Sequence, residues 1–152
     1  MRRLVLLLLL AGLSAGFAHA ADEAAPPRSV LLIANEDMDD PRFRQTVVLV
    51  TRHGKSRSTI GLILNRPSNV SLDQVFPDFA QSTTEHRLHY GGHVAQGQIV
   101  FLVRGDLAPK AAITLADKLY ISSDGQGLRR LLLGPTPPGS LRVFDGFASW
   151  AP

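Results

Sequence analysis

The sequence predicts a single α/β (or α+β) domain in which a mixed, twisted sheet is flanked by a few short helices. Three observations lead there. From Arg28 onward, short runs rich in Val, Ile and Leu are separated by turn residues. Apolar residues at successive positions read as strands covered on both faces. Two segments carry capping-box signals, and these do not alternate regularly with the strands, which argues against a doubly wound nucleotide fold.

In chain order, Met1-Arg2-Arg3 precedes an apolar core from Leu4 to Phe17 and an Ala18-His19-Ala20 ending. That is the three-part pattern of a secretory signal peptide, residues 1–20, with cleavage expected after Ala20. The core holds about 14 residues, fewer than the roughly 20 a spanning helix needs. Residues 21–28, a polar stretch with two prolines, read as a flexible linker, and residues 29–152 as the domain. The expected location is therefore periplasmic or secreted, with no membrane span after cleavage.

Strands are expected at Val30–Ala34, Thr46–Arg52, Ile60–Leu64, Leu88–Tyr90, Ile99–Arg104, Leu119–Ser122 and Leu141–Phe147. Ser71-Leu72-Asp73-Gln74 fits a capping box, and Pro77 limits the helix it opens to a turn or two. A second box at Ser123 to Gln126 precedes Leu128, Leu131 and Leu132 on one face, and Gly134-Pro135 ends the helix. Arg129 and Arg130 then fall on its solvent side.

Charge excludes one class of partner. The formal charge is +3, from 16 basic and 13 acidic residues. Removal of Arg2 and Arg3 leaves 14 against 13, a net of +1, and the remaining arginines are scattered singly apart from Arg129-Arg130. A basic stripe for nucleic acid is missing. The absence of cysteine removes disulfides, thiol catalysis and thiolate metal sites.

Catalytic and metal motifs fare poorly. Gly54-Lys55-Ser56 ends like a P-loop, but Leu49 stands where the loop's first glycine belongs, so His53 to Ser56 reads as a turn between strands. His86, His89 and His93 are spaced as on a helix, yet Leu88-His89-Tyr90 looks extended and Gly91-Gly92 breaks helices, so the rings diverge. Glu36 to Asp40 lacks the alternation of a calcium loop. Asp40-Pro41 suggests instead an N-cap with proline at the first helical position. No G-x-S-x-G elbow occurs, and Asn69-Val70-Ser71 is an isolated sequon. No catalytic residue, metal ligand or cofactor is assigned.

Four blocks, Met38 to His53, Gly61 to Phe76, Tyr90 to Gly105 and Leu119 to Leu132, followed by Phe144 to Trp150, resemble the YqgE/AlgH family in content and order. The resemblance implies a compact domain with a forked, partly barrel-like sheet. It implies no established biochemical activity, although the label of transcriptional regulator accompanies the family. An exported protein would not meet the chromosome. The chain departs from the family pattern at His93, where proline is common, at Gly146 to Trp150, where a GYAGW-type ending is common, and after Pro152, where the family continues into a further helix.

The ending of Gly61-Leu62-Ile63-Leu64-Asn65-Arg66-Pro67 raises a question about sites. Asn65 tolerates a left-handed turn, Pro67 forces the chain onward, and Arg66 between them stands at the sheet's end. Arg66 is expected either to pair with an acid of Glu36 to Asp40 or to meet a ligand. The candidate binding residues are Asn65, Arg66, Gly91, Gly92 and His93, and the expected partner is a protein or a small anion. The favoured function is a non-enzymatic binding or accessory module of the cell envelope. Two alternatives are an envelope hydrolase or metalloenzyme using His86, His89 or His93, and a transcriptional regulator if the chain is not exported.

Overall fold

The computed structural model describes residues 29–52, 58–79, 87–134 and 141–151. The expected signal peptide, the linker, the turn at His53 to Ser56 and His86 lie outside the described residues. The strands are β1 (Val30–Ile33), β2 (Val47–Arg52), β3 (Thr59–Ile63), β4 (Pro67–Ser71), β5 (Arg87–Tyr90), β6 (Val94–Arg104), β7 (Ile113–Ala116), β8 (Leu119–Ser122) and β9 (Arg142–Trp150). Two helices, α1 (Leu72–Val75) and α2 (Gly125–Leu133), and a 3-10 turn at Pro77–Phe79 complete them.

The sheet runs β1-β2-β3-β9-β6-β8-β7, and β5, with β4 beyond it, attaches to β9 as a second branch. β9 is the junction. One edge pairs antiparallel with β6 along most of its length. The other edge is shared: Val143 to Asp145 pair in parallel with β5, and Ala148 to Trp150 pair antiparallel with β3. This is the mixed, forked and curled sheet that the sequence and its family resemblance led us to expect.

Each face of the curl has its own core. Leu128 and Leu132 of α2 and Leu72 of α1 pack on Leu88, Phe101, Val103 and Val143 over one face. Leu49, Leu62, Val100, Leu115, Ile121 and Phe144 form the core on the other. β2 serves two clusters because its side chains alternate: Leu49 enters the second, while Val48 and Val50 join Ile63 under Phe43 and Tyr90. Phe144 and Phe147 are three apart yet belong to the same cluster. Gly146 lies between them at φ +66°, and this left-handed residue breaks the two-residue alternation.

Both helix starts are capped, one of them a residue later than expected. The box at Ser71 forms, with the Ser71 N–H donating to Gln74 Oε1 at 2.9 Å. For α2 the cap is Asp124, whose Oδ1 accepts from the Gln126 N–H at 3.2 Å, not Ser123. A carboxylate also complements the positive end of the helix dipole, which favours Asp124 over a hydroxyl. Arg129 and Arg130 are exposed as expected; Arg129 pairs with Asp78, and Arg130 stands 3.6 Å from Asp124.

β1 is unusual for a sheet edge. Its four residues, Val-Leu-Leu-Ile, are 50 to 79% exposed and pair only with β2.

Candidate functional site

The end of β3 explains its own composition. Asn65 turns back to β2, where its Oδ1 accepts from the Val47 N–H and its Nδ2 donates to the Gln45 carbonyl, both at 2.8 Å. The amide thus extends the ladder where no strand continues. It also holds Gln45, which sits at φ 55°. Arg66 completes the clamp by donating to the carbonyls of Arg42 (2.8 Å), Arg44 (3.0 Å) and Pro41 (3.1 Å). Arg66 thus meets backbone carbonyls where an acid of Glu36 to Asp40 was expected.

The acid meant for Arg66 is used elsewhere. Asp40 Oδ1 accepts from the Arg42 N–H at 2.9 Å and opens the turn, as the Asp-Pro pair suggested. Its two oxygens also take the Arg42 Nε and Nη2 protons at 3.0 and 2.7 Å. These bonds hold its carboxyl at about 2, below the usual carboxylate range.

Gly91 and Gly92 are buried in the joint of the fork. The Gly91 N–H donates to Asp145 O and its carbonyl accepts from the Ile63 N–H, both at 2.9 Å. A Cβ at Gly91 would stand 2.2 Å from Gly146 O, and one at Gly92 would stand 2.1 Å from the Phe147 carbonyl carbon. The pair therefore lets two branches meet backbone to backbone. His93 follows on the exposed surface, edge-on to Phe43 with ring centroids 6.0 Å apart, and Phe43 lies 5.8 Å from Trp150.

The five candidate residues are thus neighbours, since Tyr90 N–H also bonds Arg66 O. Four of them serve the scaffold. His89 and His93 lie against different rings, Phe144 and Phe43. Among the described residues no group of three or more His, Asp or Glu side chains is placed to hold a metal.

Two concavities among the described residues stand apart from these five, neither marked by a sequence motif. One is an open trough of about 460 Å³ against the core of Leu62, Val100 and Ile121. Its walls include Ile60, Ile113 and Phe147, its polar groups are serines and Gln98, and among the described residues no ionisable side chain lines it. The second is a polar notch of about 260 Å³ beside Pro67, with Arg87, His89 and Arg142 in its wall. Alternation could have placed Ile60 and Leu62 on one face, but only the curl brings β3, β6, β7 and β9 around one space.

The fold and these cavities define a class: a forked, half-rolled sheet domain that carries, among the described residues, an apolar trough and a basic notch. Residues 31–152 match the AlgH-like family model, and the chain belongs to that family. A UPF0301 protein of Alcanivorax borkumensis is 31% identical over 133 residues, covering 84% of this chain and 70% of the relative. One from Cytophaga hutchinsonii is 32% identical over 122 residues, but the matched part spans 65% of that relative. The fold is similar to the crystal structure of DIP2367 from Corynebacterium diphtheriae, at TM-score 0.63 and 26% identity over 84% of this chain and 68% of that one. It is also similar to the solution structure of AlgH from Pseudomonas aeruginosa, at TM-score 0.60 and 28% identity over 80% and 66%.

Proposed function

We propose that the protein is an exported, non-enzymatic binding module of the cell envelope whose trough takes an uncharged, mainly apolar small molecule. One observation carries the reading: a concavity of about 460 Å³ walled by Ile60, Leu62, Val100, Ile113, Ile121 and Phe147, with no ionisable side chain among the described residues that line it. Its volume falls within the roughly 300–1,000 Å³ of small-molecule sites, which pair apolar walls with a few orienting polar groups. A charged ligand would enter without a counter-charge, and its desolvation would oppose binding. Ser58, Gln98, Ser123 and Ser149 supply neutral hydrogen-bonding groups for one polar end. The signal-peptide pattern supports export.

Two measurements test the halves separately. Titration with the neutral fluorophore N-phenyl-1-naphthylamine should give saturable enhancement that Ile113→Trp or Ile60→Trp, each filling the trough, removes while the fold persists by circular dichroism. Enhancement unchanged in both variants would sink the trough reading. Cell fractionation with mass measurement of the mature chain should find a species beginning at Ala21 outside the cytoplasm; an intact chain inside it refutes export.

A further inference from the structure

The basic notch lies where the two branches of the sheet separate. Arg87 and His89 come from β5, Arg142 from the start of β9, and Pro67, Leu72 and Leu141 close the remaining wall. Among the described residues no carboxylate lines it and neither arginine forms an ion pair. Arg142 donates one N–H to Leu64 O at 3.2 Å, which anchors the guanidinium at the rim and leaves its other donors for a ligand. Two guanidinium groups without an ion-pair partner among the described residues repel each other at one small polar hollow, and an anion relieves that repulsion while accepting in pairs from each fork.

We propose that this notch is a binding site for a small oxyanion, such as a phosphate group, held by Arg87 and Arg142 with His89 as a third, titratable donor. The trough plays no part in the proposal, which therefore stands or falls independently of it.

His89 makes the site sensitive to pH. Its Nδ1 lies 3.1 Å from the Arg87 carbonyl, which fixes the ring beside the notch with Phe144 at its back. Burial lowers its pKa first, contacts with the carbonyls of Arg87 and Val143 partly restore it, and the positive charge of Arg142 lowers it further. Among the described residues the charged groups lining the notch with it are Arg87 on its own strand and Arg142 on β9; β4 and α1 present Pro67 and Leu72. A bound anion offsets the positive field of the two guanidinium groups, so His89 should gain a proton as the anion binds. Reciprocity then makes the anion bind more tightly as pH falls through the His89 transition.

The test is an NMR titration of the full chain with inorganic phosphate, following the His89 ring carbon–proton signal, which His89→Gln identifies. The expected result is a saturable shift, a His89 midpoint that moves upward with phosphate, and affinity that rises on acidification. Arg87→Gln and Arg142→Gln should each weaken binding about tenfold, and the pair together should abolish it. Arg66→Ala, whose guanidinium serves backbone carbonyls, should bind as the parent does. A comparable response to acetate supports the site and widens it to carboxylates. Chloride at matched ionic strength reproducing the shift, or undiminished binding by the folded double variant, overturns the proposal.

Discussion

Removal of the Arg66 side chain is the most direct check on the clamp that ends β3. Arg66→Ala deletes three hydrogen bonds to carbonyls of residues 41–44. A protein hydrogen bond contributes about 0.5–1.5 kcal/mol net, with charged donors toward the upper end. The site is open to water, which can take over the vacated carbonyls, so about 0.7 kcal/mol per bond is appropriate. The loss is then about 2 kcal/mol, equivalent to a fall in Tm of roughly 8 °C at about 4 °C per kcal/mol for a domain of this size. Urea unfolding followed by far-UV circular dichroism should show a lower midpoint at an unchanged slope. Arg66→Lys keeps the charge without the planar fork and should recover about a third. A loss below about 0.5 kcal/mol for Arg66→Ala would refute the assignment of this residue to the scaffold.

Gly146→Ala should cost about 3 kcal/mol or more, because its Cβ would stand 2.7 Å from Val94 O and 2.9 Å from Gly92 O at φ +66°. Gly97→Ala, at φ +88° but in open space, should cost only about 1 kcal/mol, and thermal melts of the two variants compare them. Leu128→Ala, at a position 1% exposed under α2, should lose about 3 kcal/mol in urea unfolding. Asp40 has its pKa lowered from 3.8 to about 2, so its folded form binds the proton less readily than the unfolded chain. Its contribution to stability is therefore present above pH 3.8 and lost as pH falls toward 2, and Asp40→Asn should flatten the stability profile in that window.

Much of the sheet was legible because its strands are written in Val, Ile and Leu. β2 and β3 carry that signal directly, and Ser71 with Gln74 announces α1. β4 does not: Pro-Ser-Asn-Val-Ser has a turn composition, and it is extended because it pairs with β5 at the outer branch. The first half of β6, Val94 to Gln98, was hidden for another reason. Ala95 and Gly97 both have positive φ, so the strand passes through an irregular register that alternation does not encode. β7 has only four residues between turns and acquires its identity from β8.

The candidate site was legible as a neighbourhood, and its scaffold contacts were not. The sequence placed Asn65 and Arg66 beside Gly91 and Gly92, and backbone bonds join them as supposed. Residue type alone does not tell a displayed arginine from one folded back onto carbonyls, since both need the same guanidinium. Nor does it tell a Gly-Gly that admits a ligand from one that admits another strand. Arg87 and Arg142, 55 positions apart, meet only because β5 and β9 run in parallel, with Leu88 opposite Val143.

The central position of β9 has a consequence for synthesis. A growing polypeptide that has not yet emitted residues 142–150 possesses β3, β5 and β6 but nothing to which all three can be hydrogen-bonded. Such a nascent chain leaves edge after edge unsatisfied, and closure must await contacts that are far apart in sequence. The pairings that join the two branches of the sheet therefore form only after this segment has been translated.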